Sequence, residues 1–232
     1  MKKKNVLITG CNRGIGRAIL EKYQNENYNI FGLGKKKFSN ICKRYYSVDL
    51  SDINEVQEFC KKLKNLKIDI LINNAGINKI DKFHLVKQSD LGLIFQVNFF
   101  SIHRICQSVI PNMIKNKWGR IVNLTSIFGS VVKEKRSSYS STKFALNGLT
   151  KTLAAEYSRN NILTNAVAPG VIETELTRKI LKKNIHKIKK DIPMGKLGSV
   201  DEVSNIVKWL GSEKNTFITG QQIIVDGGYT IV

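Results

Sequence analysis

VLITGCNRGIG, residues 6–16, runs an apolar, β-branched stretch into three glycines and then into helical spacing. A strand that ends in such a turn and feeds a helix starts an alternating strand–helix unit. Gly10 permits the tight turn, Gly14 lets backbone come close to a ligand, and Gly16 lets the helix pack against the sheet. The helix amino terminus then offers unpaired N–H groups and partial positive charge, which suit a pyrophosphate. A turn serving only chain reversal reads the same way, so the segments that follow decide.

Outward from this turn, apolar runs of strand length recur at 5–9, 29–33, 44–48, 69–72, 120–125, 161–167 and 222–225. Ile15, Ala18, Ile19 and Tyr23 keep helical spacing after the glycines, and Val56, Phe59, Cys60 and Leu63 do so after an N-cap at Ser51 or Asp52. Longer helices are expected over 97–116 and 138–159. Strands that are continuously apolar and alternate with helices predict an α/β fold, a doubly wound parallel sheet with right-handed crossovers and helices on both faces. Ligands in such sheets bind beyond the carboxyl ends of the strands. From Gly34 to Tyr45 the chain carries a basic triplet, Lys35–Lys37, and has little room for a full helix.

At 232 residues the chain fits a single α/β domain, and its 42% hydrophobic content with 3 prolines argues against a disordered segment. The apolar run from Leu91 to Phe100 is interrupted by Gln96 and Asn98 and falls short of the roughly 18 residues of a membrane span. Only Val6, Leu7 and Ile8 separate the basic amino terminus from the glycine turn, too few for a signal-peptide core, so a soluble, cytoplasmic protein is expected. The four cysteines lack C-x-x-C spacing, and His84, His103 and His186 have no metal-site spacing; no disulfide framework and no metal are expected. A net charge of +20 permits attraction to nucleic acid, anionic lipid or an acidic protein. The lysines are scattered without aromatic interleaving, so neither nucleic acid nor membrane is the expected partner, and a noncatalytic nucleic-acid binder is a remote alternative.

The chemistry-bearing residues follow the glycine turn. Asp49, followed by Leu50, closes the third strand and suits either an adenine amino group or a helix N-cap. Asn73, Asn74, Ala75 and Gly76 end the fourth strand, where small residues let a nucleotide lie against the backbone. Ser126 ends the fifth. Tyr139 and Lys143 lie one helical turn apart and share a face. A phenol has a reference pKa near 10, so acid–base work around neutrality needs a shift of about 3 units, and a nearby ammonium acts in that direction.

Thr9–Gly16, Asn73–Gly76, Asn98, Ser126 and the Tyr139–Lys143 pair together resemble the short-chain dehydrogenase/reductase family, over nearly the whole chain. The resemblance implies a single Rossmann-type domain with strand order 3-2-1-4-5-6-7, its cofactor half reaching to about residue 120 and its catalytic half from about 121. It implies hydride transfer between a nicotinamide and a carbonyl. Tyr139 would protonate the carbonyl oxygen, Ser126 would hydrogen-bond that oxygen, Lys143 would lower the tyrosine pKa and hold the ribose, and the Asn98 backbone would hold a water. Cofactor contacts are implied for Gly10, Asn12, Arg13, Gly14, Ile15, Gly16, Lys35, Asp49, Leu50, Asn74, Ala75, Gly76, Tyr139 and Lys143, and for Pro169, Gly170, Ile172 and Thr174 in a nicotinamide-side loop. Gly34 and Lys35 stand where an acid would hold a cofactor lacking the 2′-phosphate, and with Arg13 they favour NADP(H).

Within the family, Ile192–Val203 and the ITGQQIIVDGG ending are similar to 3-oxoacyl-acyl-carrier-protein reductases of fatty acid biosynthesis. That similarity implies a carrier-linked ketone, with Lys117 and Arg159 beside the active-site entrance meeting the acidic carrier, and a homotetramer that pairs the long helices. Lys133, Glu134, Lys135 and Arg136 depart from the pattern and suit either an anionic substrate, such as a keto sugar or keto acid, or a surface loop. The short segment after the second strand is the other departure. Arg178–Lys190, with Ile180, Leu181, Ile185 and Ile188 among lysines, reads as an amphipathic helix, either a lid or a packed element.

Overall fold

A computed structural model describes residues 3–36, 42–175, 177 and 185–232. Seven parallel strands form one sheet in the order β3-β2-β1-β4-β5-β6-β7: β1 Lys4–Thr9, β2 Tyr28–Gly34, β3 Arg44–Ser47, β4 Ile70–Asn73, β5 Gly119–Leu124, β6 Ile162–Pro169 and β7 Gln222–Val225. The fold is the single doubly wound Rossmann-like domain expected. β1 sits between β2 and β4, so the order reverses there and opens a crevice at its carboxyl end.

Alternation along each strand divides the core. Leu7 and Leu71 point to one face and join Leu63, Ile105, Val109 and Leu146; Val6, Ile8, Ile70 and Ile72 point to the other and join Ile19, Tyr23, Val203 and Val207. The first layer holds α2 (Ile53–Leu66), α4 (Ser101–Asn116) and α5 (Ser137–Tyr157); the second holds α1 (Gly14–Gln24) and the last long helix, Val200–Leu210. Asp52 is the N-cap of α2, its carboxylate accepting from the amides of Asn54 and Glu55 at 2.8 and 3.2 Å.

Three elements differ from the sequence expectation. The helix expected over 97–116 begins at Gln88: α3 (Gln88–Phe95) runs into a π turn, Gln96–Phe100, and on into α4. Gly92 hides this start, and the π turn shifts the apolar spacing by one residue. Of the amphipathic segment at 178–190, α6 (Ile185–Lys190) is described and buries no residue; Ile180 and Leu181 lie outside the described residues, as does Lys37 of the basic triplet. The helix α7 (Val200–Leu210) went unread, although Ser199 and Glu202 form a capping box, Ser199 Oγ accepting from the Glu202 amide at 3.1 Å and Glu202 Oε2 from the Ser199 amide at 2.6 Å.

No helix among the described residues is long and apolar enough to cross a membrane.

Candidate active site

The glycine turn and the catalytic residues singled out in sequence converge at the carboxyl edge of the sheet. Gly10 leaves β1 at φ +66, a conformation that favours glycine, and a Cβ there would stand 2.9 Å from the Cα of Ala75. A Cβ on Gly16 would collide with the carbonyl oxygen of Gly10 and the side chain of Asn74. Thr9 and Asn74 lace the turn to the end of β4. Thr9 Oγ1 accepts from the amides of Asn74 and Ala75, both at 3.0 Å, while Asn74 Nδ2 donates to the carbonyls of Thr9 and Gly10 at 3.1 and 3.0 Å.

Helix α1 starts here with no side-chain cap at Arg13 and no acidic residue in its first turn. Its first amides therefore keep their capacity for a ligand, and no Cβ covers them at Gly14 or Gly16. The turn fits a diphosphate. From the far side, the methyl group of Thr174 reaches to 3.5 Å from where a Gly14 Cβ would stand, so the loop after β6 closes over the same turn. Thr177 Oγ1 donates to Ile172 O at 2.7 Å and accepts from the Thr174 amide at 2.7 Å, holding that loop. Gly170, after Pro169, lies against Asp226, where a Cβ would stand 2.7 Å from the Asp226 Cβ.

At the other end of the crevice, Lys35 and Asp49 meet each other: Nζ lies 2.6 Å from Oδ2 across the ends of β2 and β3. Burial opposes ionisation of Asp49, but hydrogen bonds from Lys35 and Ser51 outweigh it and hold the carboxyl below its usual range. Leu50 beside it is buried and its carbonyl accepts from Gln96 Nε2 at 3.2 Å. The short connection after β2 is pinned by Tyr45, whose hydroxyl donates to Lys36 O at 2.6 Å and accepts from Asn12 Nδ2 at 2.8 Å. Arg13 is exposed and Ile15 packs into the α1 face of the core.

Ser126, Tyr139, Lys143 and Asn98 form the chemical end. Ser126 Oγ accepts from the Phe128 amide at 3.2 Å and lies beside the Tyr139 hydroxyl, whose ionised form it favours. Lys143 is 3% exposed, and its Nζ donates to Leu124 O at 2.8 Å, 5.5 Å from the Tyr139 ring centroid. Burial lowers the Lys143 pKa to about 8. Asn98 lies in the π turn, fully buried. Its Oδ1 accepts from the Ile77 amide at 2.8 Å, and its Nδ2 donates to Ile77 O at 2.9 Å and Thr142 Oγ1 at 3.2 Å. The side chain thus clamps the strand end that carries Asn74–Gly76, a contribution that sequence reading, directed to the backbone, missed. Thr142 was missed with it.

The electrostatics differ from expectation in one respect. Burial raises the Tyr139 pKa; the Ser126 hydrogen bond and the charge of Arg136 oppose the rise. The cation acting on Tyr139 is Arg136, because Lys143 is itself desolvated and turned toward Leu124. Arg136 lies one turn before Tyr139, in the loop whose basic character the sequence had marked.

Lys117 and Arg159 are not at the entrance. Both are exposed, and each lies two or three residues before the paired Gly119 and Ile162, at the amino-terminal edge of β5 and β6. Ser126 lies beyond the other end of β5. A six-residue strand separates them by about 20 Å at ~3.3 Å per residue.

Comparison with known proteins agrees with this geometry. The family model described as enoyl-(acyl carrier protein) reductase matches residues 10–230. The 3-oxoacyl-[acyl-carrier-protein] reductase of Aquifex aeolicus is 37% identical over 98% of both chains, and that of Buchnera aphidicola subsp. Schizaphis graminum is 35% identical, again over 98% of each. Among solved structures, ElxO with NADP bound superposes with a TM-score of 0.92 at 32% identity over the full length of both chains. Sequence, fold and site agree from one end of the chain to the other, and it belongs to the short-chain dehydrogenase/reductase family.

Proposed function

We propose that this protein reduces the ketone of a 3-oxoacyl thioester, carried on acyl carrier protein or coenzyme A, to the 3-hydroxyacyl thioester, with NADPH as reductant. The observation that carries the reading is the Ser126–Tyr139–Lys143 arrangement at the strand ends, beside an uncovered glycine turn. The relatives named for 3-oxoacyl-carrier reduction support the substrate class. ElxO, solved with NADP, supports the cofactor. So does the absence of an acid after β2, where Lys35 stands, with Arg13 exposed in the turn.

When bound, the reduced nicotinamide supplies a hydride to the carbonyl carbon. The chain's own residues do the rest. Ser126 Oγ and the Tyr139 hydroxyl, beside each other at the strand ends, would both donate to one acceptor, the carbonyl oxygen, and hold it in line. Tyr139 then gives its proton to that oxygen, so the C=O bond becomes CH–OH. A phenol whose pKa burial has raised is protonated at neutral pH, the form a proton donor needs. Lys143 would hold the ribose side of the nicotinamide and return a proton toward Tyr139. Asn98 fixes the wall formed by Asn74, Ala75 and Gly76, and Pro169, Gly170, Ile172 and Thr174 close the nicotinamide side.

Exposed apolar residues on and just before the long helices (Phe100, Ile114, Phe144) and near the carboxyl terminus (Phe217, Ile231, Val232) support a homotetramer. A two-fold across α4 and α5 sets the amino-terminal edge of one copy toward the carboxyl edge of the next. In that arrangement Lys117 and Arg159 serve the acidic carrier at the neighbouring copy's site. Reversing both charges is then expected to raise KM for a carrier-linked substrate about tenfold or more and to leave acetoacetyl-coenzyme A within about twofold. Equal effects on the two substrates remove the carrier contact from the account. The reading itself is tested by following NADPH oxidation with acetoacetyl-coenzyme A: substrate-dependent loss of NADPH with formation of 3-hydroxybutyryl-coenzyme A is expected, and NADPH binding without turnover contradicts it.

A further inference from the structure

Arg136 is the one charged group of its loop that faces the reacting centre. It occupies the N-cap position of α5 without a side-chain cap, one turn before Tyr139. Its guanidinium stands over the ring of Phe128, 5.0 Å from the centroid, and Phe128 belongs to the short turn that Ser126 begins. Arg136 is half-buried, and the hydroxyls of Tyr139 and Tyr229 both feel its charge. The guanidinium thereby stands among Phe128, Tyr139 and the carboxy-terminal turn Tyr229–Ile231.

Its neighbours differ from it. Lys135 pairs with Glu134 at 3.8 Å, and Lys79, across the same groove, pairs with Asp81 at 3.9 Å and with Asp90. Among the described residues, Arg136 has no carboxylate within ion-pair distance and no hydrogen-bond acceptor; its only close partner is the Phe128 face. A partly desolvated guanidinium left in this way is unfavourable by itself, and the aromatic face compensates only in part. An anion placed between it and the carbonyl site would satisfy both the charge and the planar donors.

We propose that Arg136 is a specificity residue that recognises a carboxylate or phosphate on the substrate within a few bonds of the ketone, so that the site also reduces small anionic ketones. The proposal rests on the reading that Ser126 and Tyr139 hold the carbonyl. The reaction is the same: hydride from NADPH to carbon, proton from Tyr139 to oxygen, with the anion untouched.

Acetoacetate and ethyl acetoacetate test it, because they present the same ketone with and without the charge. With NADPH, the wild-type enzyme is expected to turn over acetoacetate. Arg136→Gln is expected to lower kcat/KM for acetoacetate by about 10- to 100-fold, mainly through KM. The loss on ethyl acetoacetate, which carries only the effect of Arg136 on the Tyr139 phenol, is expected to be at least about fivefold smaller, and Arg136→Lys is expected to recover part of the acetoacetate loss. A general structural role would lower both substrates together, and that result overturns the proposal. Failure of the wild type on acetoacetate alongside turnover of acetoacetyl-coenzyme A also overturns it and leaves the thioester reductase standing. Failure on all three substrates is the failure of the reductase reading itself.

Discussion

Replacing Tyr139 with phenylalanine is expected to lower thioester reduction by about 10²- to 10⁴-fold, the usual contribution of a positioned general acid. The substitution removes one oxygen and keeps the ring, so the helix α5 and its packing are left in place. NADPH binding, read by fluorescence, and the melting temperature are expected to change little, because the glycine turn, the Asn74–Gly76 wall and the Thr174 loop are untouched. The pH profile provides a second readout. Tyr139 acts in its protonated form, so kcat/KM for reduction holds through neutrality and falls as pH rises through the phenol pKa, which burial has moved upward. The tyrosine-dependent alkaline limb is expected to vanish in the residual activity of the variant. A variant that retains more than about a tenth of the wild-type rate would remove Tyr139 from the mechanism.

Lys143→Met is expected to move activity and stability in opposite directions. Activity falls at least about 10²-fold, because the group that holds the ribose and resupplies the tyrosine proton is gone. Stability of the ligand-free protein at pH 7 is expected to rise. Burial brings the Lys143 pKa down from 10.5 to about 8, which corresponds to an unfavourable contribution on the order of 2–3 kcal/mol when the buried amine is charged. Methionine removes that contribution and forfeits one hydrogen bond to Leu124 O, worth about 1 kcal/mol. A net gain of about 1–2 kcal/mol corresponds to a few degrees in melting temperature. The sign of the pH dependence follows from linkage. Between about pH 8 and 10.5 the unfolded lysine keeps its proton while the folded one has lost it, so wild-type stability rises across that window. The advantage of the variant therefore shrinks as pH rises, and thermal melts of both proteins at pH 7 and pH 10 measure it. A variant less stable than wild type at pH 7 would contradict the desolvation account.

Much of this was readable from residue order alone, because the signals were local. Continuous apolar runs predict β1, β4, β5 and β6 within two residues of their ends, since strands buried on both faces tolerate few polar positions. Gly10 and Gly16 are demanded by close backbone contacts that the T-G-x-x-x-G-x-G spacing encodes. What was missed depends on distance through space. The clamp of Asn98 on Ile77 joins residues 21 positions apart, and nothing near Asn98 announces it. The offset of Lys117 from Ser126 is a number of residues, and it does not reveal that an extended strand lies between them and carries them to opposite edges of the sheet. The Y-x-x-x-K spacing puts Tyr139 and Lys143 on one face, yet burial lowers the Lys143 pKa and leaves Arg136 as the cation felt by the phenol. Arg136 stood out in sequence as part of a charge run; only its position over Phe128 separates it from the exposed Lys133.

The central claim is carbonyl reduction, whereas the matching family model carries the description of an enoyl reductase, which would reduce a carbon–carbon double bond. One competition measurement separates the two. Acetoacetyl-coenzyme A and crotonyl-coenzyme A are supplied together with NADPH deuterated at the transferable position, and the products are resolved by mass spectrometry. Deuterated 3-hydroxybutyryl-coenzyme A with crotonyl-coenzyme A left intact is the predicted result. Deuterated butyryl-coenzyme A with acetoacetyl-coenzyme A left intact would contradict the account.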